Sequence, residues 1–188
     1  VNLISSAFSE QDIVKAKQLG ANMVTIWPAM RIKNDEFTFA PNMISGMINS
    51  AHKNGLQVEL RSSFGGESIE NYEKFESNAL KHAAESAKFA EKYKVYRIVP
   101  FGEVDNTLFK QCDKITEFSN KLLIEMRKHY SGQIGIGVVG SWRDCGYNFK
   151  GYDYLTFSAY PQRSTGIDPW LTPKLDINAQ SDDAKNLA

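Results

Sequence analysis

The sequence predicts an α/β protein built around a parallel sheet, and two observations carry this prediction. Six short runs of β-branched and aromatic residues recur along the 188 residues. Segments with apolar residues at helical spacing follow most of these runs, and parallel neighbouring strands need crossover connections of this kind. The hydrophobic share of 42% and the charged share of 23% are those of an ordinary globular protein. We therefore expect a single domain over residues 1–188.

The first unit is a strand followed by a helix. Residues 1–8 begin as an apolar run, which predicts the strand. Ser9 then stands where a helix needs an N-cap, and Gly20 stands where a helix ends. Between these two residues, apolar side chains repeat at helical spacing, at Ile13, Val14, Ala16 and Leu19.

The second unit repeats the same order of elements. The β-branched and aromatic run over residues 23–27 predicts a strand, and a polar loop over residues 33–36 follows it. Pro41 is favoured in the first turn of a helix, so we expect the second helix to begin there and to end at Gly55.

The remaining units complete the alternation. Further strands are predicted over residues 56–60, 95–99, 134–139 and 154–160. Long helices are predicted over residues 68–93 and 108–130, whereas a fifth helix before the last strand would be short. After Pro161 the composition changes to Pro, Gly, Asp and Ser, and residues 181–188 are predicted to begin a sixth helix.

Charge and composition exclude several classes of function. Lys and Arg together number 22, as do Asp and Glu, so the chain is not a strongly basic nucleic-acid binder. No apolar run approaches the roughly 18 residues that a membrane span needs. Cys112 and Cys145 lack the paired spacing of a zinc site, and no histidine lies four residues from another His or Cys. We expect free thiols, with a single disulfide bridge as the alternative, and we expect no metal and no cofactor.

Two folds with parallel strands fit this alternation, an open doubly wound sheet and a (β/α)₈ barrel. The open sheet predicts a glycine-rich phosphate loop after the first strand, but residues 5–10 contain no glycine. Polar and aromatic residues instead follow the strands, and a barrel builds its active site from such residues at the C-terminal strand ends. We therefore predict a TIM barrel, with about six of the eight units present in this chain.

The residues that follow the strands favour a carbohydrate cleft. Aromatic faces suit the apolar faces of sugar rings, whereas arginine and carboxylate side chains bind hydroxyl groups. The alternative for each aromatic residue is simple packing over the barrel mouth. The candidate substrate-binding residues are Trp27, Arg31, Arg61, Glu67, Trp142 and Tyr160.

Glu103 is the candidate catalytic residue. It stands just past the apolar end of the fourth strand, in a half-buried position that suits a general acid. The alternative is a loop acid or a charge at the N-terminus of the next helix, with Asn106 or Thr107 as the cap of that helix.

Three other acidic residues lie on or near the strand ends. Glu67 is in a glycine-containing loop suited to substrate contact, or else in the first turn of the third helix. Asp105 is predicted to cap the fourth helix or to bind Asn106 locally. Glu59 alternates with apolar neighbours, so it can point into the barrel and pair with Arg61 or Arg97.

Two motifs resemble those of a known family. They are Phe-Gly-Glu at residues 101–103 and Phe-Ser-Ala-Tyr-Pro at residues 157–161. Together with the spacing of the six units, they resemble the clan of (β/α)₈ retaining glycoside hydrolases, near its β-mannanase-like and cellulase-like members. The resemblance covers nearly the whole chain. In that clan the acid/base is a Glu after the fourth strand, usually preceded by Asn, whereas Gly102 stands at that position here.

The resemblance implies a retaining glycoside hydrolase that cleaves a β-linked oligo- or polysaccharide. Glu103 would protonate the departing glycosidic oxygen, and a second carboxylate about 5 Å away would attack the anomeric carbon. This nucleophile, a Glu after the seventh strand, is expected beyond Ala188, and Tyr160 would line the sugar site or orient the nucleophile. Gly102 favours an alternative, a non-catalytic carbohydrate-binding barrel. An open-sheet ligand-binding domain is the third alternative.

The expected partner is a carbohydrate, with no nucleic acid and no membrane. A barrel of six units would leave unpaired edges on its first and sixth strands, beside a large apolar interior. We therefore expect the remaining part of the same polypeptide, or a complementing chain, to cover these edges. Polymer-degrading relatives are usually exported, which favours an extracellular location.

Overall fold

The computed structural model describes residues 2–5, 9–27, 32–33, 36–37, 41–62, 69–108, 112–138 and 148–157. The strands are β1 (Asn2–Ser5), β2 (Met23–Ile26), β3 (Ile32–Lys33), β4 (Glu36–Phe37), β5 (Gln57–Arg61), β6 (Arg97–Val99), β7 (Gln133–Val138) and β8 (Tyr154–Phe157). The helices are α1 (Glu10–Gln18), α2 (Pro41–Lys53), α3 (Tyr72–Lys92), α4 (Val104–Thr107) and α5 (Cys112–Arg127). The predicted alternation of strands and helices is confirmed within these ranges.

Six of the strands form one parallel sheet in the order β1-β2-β5-β6-β7-β8. A doubly wound sheet reverses its strand order where its two halves meet. Across the described strands no such reversal occurs, because each unit adds its strand on the same side of the previous one. This progression is that of a (β/α)₈ barrel, so the open-sheet alternative is wrong. Within the described part of the chain, β1 and β8 are the edge strands, as predicted for the first and sixth strands.

Side chains alternate between the two faces of this sheet. One set is buried with the helices in a single hydrophobic cluster, to which Ile48 of α2 and Phe118 of α5 also belong. The intervening residues Thr25, Glu59 and Arg97 lie on the opposite face. The members of the helix-facing set are Val24, Ile26, Val58, Leu60, Ile98, Ile134 and Ile136.

The first helix begins and ends at the residues that the sequence predicts. Ser9 is the N-cap of α1, and its Oγ accepts a hydrogen bond from the Asp12 amide at 3.2 Å. Asp12 completes a capping box, since its Oδ2 accepts a hydrogen bond from the Ser9 amide at 2.9 Å. Gly20, just beyond the helix, has a φ of +83°, which a residue without a Cβ adopts readily.

The third helix begins later than its apolar pattern predicts. The pattern places its start near residue 68, but α3 begins at Tyr72. Asn71 is the N-cap, and its Oδ1 accepts a hydrogen bond from the Lys74 amide at 2.9 Å. The correction follows from capping, because a short polar side chain that satisfies a free amide sets the first residue of a helix.

Two other segments differ from their predictions. The two ends of the segment predicted as a polar loop, Lys33 and Glu36, belong to β3 and β4, which pair antiparallel with Ile32 opposite Phe37. The helix predicted over residues 108–130 is α5, which begins at Cys112, and a short helix that was not predicted, α4, precedes it at Val104–Thr107. The fourth unit therefore places a short helix directly after the strand end that carries Glu103.

Three phenylalanines hold the segment after β6 against the helices. The ring of Phe101 lies edge-on to Phe75, with 6.1 Å between centroids, and edge-on to Phe118 at 5.2 Å. Phe75 and Phe118 stack at 5.6 Å, and all three side chains are buried. Edge-to-face and offset pairs of this kind each add about 0.5–1.5 kcal/mol beyond burial. The backbone entering Gly102 is therefore anchored by its preceding residue.

Two further predictions concern membrane-spanning helices and the state of the two cysteines. None of the helices in the described part of the chain is both long enough and apolar enough to cross a membrane. Cys145 and the side chain of Cys112 lie outside what the structure describes, so the expected free thiols remain a prediction.

Candidate active site

The C-terminal ends of β5, β6 and β7 are joined at one edge of the sheet. The Ser62 amide, one residue beyond β5, donates to the Val99 carbonyl at 2.9 Å. The Gly137 amide of β7 donates to the Phe101 carbonyl at 2.8 Å, two residues beyond β6. Residues after one strand are thus held on the next, and this is the edge where a barrel carries its functional groups.

Arg61, the last residue of β5, connects this edge to β2. Its side chain is largely buried, with the residue 9% exposed. The guanidinium carbon lies 5.7 Å from the ring centroid of Trp27, which directly follows β2. On its other side, Nη2 of Arg61 donates to the Gly102 carbonyl at 3.3 Å. One guanidinium therefore spans three strand ends.

The segment that carries Glu103 has each of its three carbonyls bonded to a different element. Phe101 accepts from the amide of Gly137, and Gly102 accepts from Arg61. The Glu103 carbonyl accepts from the amide of Thr107 at 3.0 Å and from its Oγ1 at 3.1 Å. The side chain of Glu103 therefore leaves from a backbone that is fixed on both sides, in a half-buried position.

Glu103 is also the N-cap residue of α4. Its side chain makes no capping hydrogen bond to that helix. The expectation of an acid at the N-terminus of a helix is confirmed in position for α4.

Two glycines allow the strand ends to approach each other this closely. A Cβ on Gly102 would lie 2.7 Å from the backbone oxygen of Ser62. A Cβ on Gly137 would overlap the backbone of Gly102 itself. The position at which the resembling clan has Asn thus has no room for a side chain on this backbone.

A layer of polar side chains on β2, β5 and β6 lies below this edge, two residues before Arg61 along β5. Glu59 is 2% exposed, and its Oε2 lies 2.5 Å from Nε of Arg97. The Thr25 hydroxyl donates to Oε1 of the same carboxylate at 3.1 Å. The Arg97 guanidinium lies 4.8 Å from the ring centroid of Tyr154, and the small residue Gly135 makes room for that ring. Burial, with a smaller contribution from Glu59, raises the pKa of the Tyr154 phenol well above its usual value.

The pairing of Glu59 with Arg97, one of the two alternatives from the sequence, is thereby confirmed. Its cause is the parallel register, which places these two residues opposite each other on β5 and β6. The charge of each is compensated within the sheet, below the edge that carries Glu103.

Three of the predicted site residues fall at the same edge and the other four are outside the described ranges. Trp27, Arg61 and Glu103 follow or end neighbouring strands, and the first two are in contact. The Nε1–H of Trp27 is buried and makes no hydrogen bond to any part of the chain that the structure describes. The residues outside the described ranges are Arg31, Glu67, Trp142 and Tyr160.

Several predicted roles near this edge are wrong. Asp105 does not cap the fourth helix, because it lies within α4 and is fully buried. Asn106 and Thr107 also belong to α4 rather than capping the next helix. Glu67 lies outside the described ranges, and α3 begins after it, at Tyr72.

The contact between Arg61 and the Gly102 carbonyl was not predicted from the sequence. The only signal for it is indirect, namely Gly102 itself and the alternate glycines Gly135 and Gly137 along β7. Glycines inside a strand pattern indicate a close approach of another chain segment, but they do not identify that segment.

The sequence matches no protein-family model and no curated protein.

The backbone is nevertheless similar to solved structures of β-mannanases and of the endoglucanase Cel5A. A GH113 β-1,4-mannanase in a complex matches 98% of this chain and 66% of its own, with a TM-score of 0.71 and 16% identity. The GH113 β-mannanase AaManA from Alicyclobacillus acidocaldarius, in complex with ManMIm, matches over 84% and 58%, with a TM-score of 0.65 and 14% identity. Thermotoga maritima Cel5A, in complex with mannotriose substrate, matches over 96% and 66%, with a TM-score of 0.64 and 16% identity.

These similarities establish the fold. The chain has the (β/α)₈ fold of these glycoside hydrolases, in agreement with the clan that its motifs resemble. It spans 58–66% of the length of the three structures.

Proposed function

We propose that the protein is a retaining glycoside hydrolase acting on β-linked oligo- or polysaccharides, with Glu103 as its general acid/base. One observation carries the proposal. Glu103 lies beyond the C-terminal end of β6, in a segment that Arg61 of the neighbouring β5 contacts, and every carbonyl of this segment is bonded. The similarity to a β-1,4-mannanase and to a mannotriose-bound enzyme supports a β-linked glycan as the substrate.

The reaction would be a double displacement. Glu103 gives a proton to the departing glycosidic oxygen while a second carboxylate attacks the anomeric carbon. Glu103 then acts as a base and removes a proton from the water that releases the sugar. The second carboxylate is expected beyond Ala188, and residues 1–188 form the part of a single barrel domain that supplies the acid/base.

Substrate binding would use the side chains around this edge. The half-buried ring of Trp27 offers an apolar face to a sugar ring, and its buried Nε1–H needs an acceptor. The other proposed contacts are Arg31, Glu67, Trp142 and Tyr160.

The test compares hydrolysis of β-1,4-linked manno- and cello-oligosaccharides by the wild type and by Glu103→Gln in the full native polypeptide. Loss of a general acid/base costs about 10²–10⁴ in rate, and Gln keeps the size of the side chain. Glu73→Gln is the matched control, because Glu73 is an exposed acid in the first turn of α3. Equal turnover by both variants would remove Glu103 from the mechanism.

A non-catalytic carbohydrate-binding barrel is the second candidate, and Gly102 favours it. A side chain at that position would meet the Ser62 backbone, so the clan's usual Asn has no equivalent here. Calorimetric binding of mannotriose by a wild-type protein that hydrolyses no β-linked glycan would favour this candidate over the hydrolase.

A further inference from the structure

We propose that Arg61 is a positioning residue, which fixes the orientation of Glu103 through the Gly102 carbonyl while Trp27 holds the guanidinium in place. The proposal rests on the proposed function, since it assigns a role relative to Glu103. It separates Arg61 from the substrate contacts considered above, because the described bonds of this side chain run to the protein backbone and to an aromatic ring.

The peptide bond transmits the effect of Arg61 to Glu103. The carbonyl of Gly102 and the nitrogen and Cα of Glu103 belong to one planar unit. A hydrogen bond that fixes the carbonyl oxygen at 3.3 Å from Nη2 therefore fixes the direction in which the Glu103 side chain leaves the backbone. Glycine restrains its own φ and ψ less than any other residue, so this unit depends on external contacts.

Arg61 differs from the other described hydrogen-bond donors to the segment of residues 101–103. The Phe101 carbonyl is held by the main chain of β7, and the Glu103 carbonyl by Thr107, four residues away in the same helix. Arg61 is the one donor to these three carbonyls, among those described, that is a side chain from another strand. Its removal therefore frees the central peptide unit and leaves the two flanking hydrogen bonds without the restraint between them.

Trp27 and burial keep the guanidinium over Gly102. Arg61 is 9% exposed, and its guanidinium carbon lies 5.7 Å from the centroid of the Trp27 ring. A cation held against an aromatic face in a desolvated position gains more than it does at an exposed site. Such a side chain has few other orientations, which is the requirement for a group that must hold a catalytic segment still.

The experiment measures kcat and KM of Arg61→Met and Arg61→Lys on a β-1,4-manno-oligosaccharide, in the full native polypeptide. Misplacement of a catalytic group by about 1 Å costs up to roughly 10²-fold, so we expect Arg61→Met to lower kcat by about 10–100-fold. KM should stay within about threefold, because ground-state binding is not removed. Arg61→Lys should retain more activity since it keeps a donor, and millimolar guanidinium should restore part of kcat in Arg61→Met.

Arg127→Met is the matched control. Arg127 also donates to a glycine carbonyl, that of Gly132 at 2.7 Å, but it does so before β7, at the opposite end of that strand. We expect its kcat to equal that of the wild type. A rise in KM with unchanged kcat in Arg61→Met would make Arg61 a substrate contact, and this result would overturn the proposal. An unchanged kcat together with an unchanged KM would overturn it as well.

Amide hydrogen exchange separates this proposal from the proposed function. The amides of Gly137 and Thr107 donate to the carbonyls that flank Gly102, so loosening of the segment should speed their exchange in Arg61→Met. Faster exchange in Arg61→Met than in Arg127→Met would support positioning even if the wild type hydrolyses no glycan. Identical exchange in the two variants would overturn positioning whatever the activity.

Discussion

Replacing Gly102 by alanine is expected to destabilise the protein, and the contact responsible can be named. The new Cβ would lie 2.7 Å from the Ser62 carbonyl oxygen, whereas ordinary van der Waals contact begins at about 3.4 Å. The obstacle is backbone, and it cannot move alone, because the Ser62 amide is bonded to the Val99 carbonyl at 2.9 Å. Either the β5 end or the Glu103 segment must shift.

The expected cost is about 1–3 kcal/mol, the usual range for an added carbon in a well-packed site. For a chain of this size, a loss of 1 kcal/mol lowers Tm by about 2–4 °C. Urea-induced unfolding followed by circular dichroism measures the free energy directly. Because the shift also moves the Gly102 carbonyl relative to Arg61, kcat should fall along with stability.

Gly46→Ala is the control variant, and we expect it to change stability in the opposite direction from Gly102→Ala. Gly46 lies within α2, and a Cβ there would meet no heavy atom within 4 Å. Alanine in a helix interior is favoured over glycine by about 0.5–1 kcal/mol, so this variant should be more stable than the wild type. A Gly102→Ala variant that is as stable as the wild type, or stabilised like Gly46→Ala, would refute the close packing of the strand ends.

The other predictions concern two buried charged or titratable side chains. Burial lowers the pKa of His82 to about 4, and its Nε2 lies 3.0 Å from the Ser86 hydroxyl. Between pH 6.5 and 4, His82 is therefore protonated in the unfolded chain but largely neutral in the folded protein. Stability thus falls as the pH drops through this range. At pH 4.5 the loss should be about 2–3 kcal/mol in urea unfolding, and a His82→Gln variant that keeps the wild-type pH dependence would contradict this. Glu59→Ala should cost about 3 kcal/mol by leaving Arg97 uncompensated, whereas Glu10→Ala, at an exposed ion pair with Lys53, should cost less than about 1 kcal/mol. Equal unfolding midpoints for these two variants would show that the Glu59–Arg97 pair stabilises the protein no more than the exposed pair does.

Local signals in the sequence account for much of the fold. Ser9 and Pro41 start helices at the predicted residues because the capping hydroxyl and the fixed φ of proline act within one turn. The six strands follow from their β-branched runs, and the polar and aromatic residues at their ends indicated the edge where Trp27 and Glu103 lie.

Other features could not be predicted, because they depend on competition between possible N-cap residues or on contacts between distant parts of the chain. The late start of α3 was missed because several polar residues near its beginning compete as caps, and Asn71 prevails. The short helix α4 was missed because its four residues are too few to show an apolar period. The packing of Gly102 against Ser62, and the bond from Arg61, join residues about 40 positions apart, which periodicity does not report.

The most direct test of the acid/base role of Glu103 is azide rescue of Glu103→Ala with an aryl β-mannoside that has a good leaving group. Such a substrate needs no acid to form the glycosyl-enzyme, but its release needs a base to activate water. We predict slow turnover that azide accelerates, with a β-mannosyl azide as product, because azide attacks without giving up a proton. Wild-type turnover without azide, or slow turnover that azide leaves unchanged, would contradict the assignment of Glu103 as the acid/base.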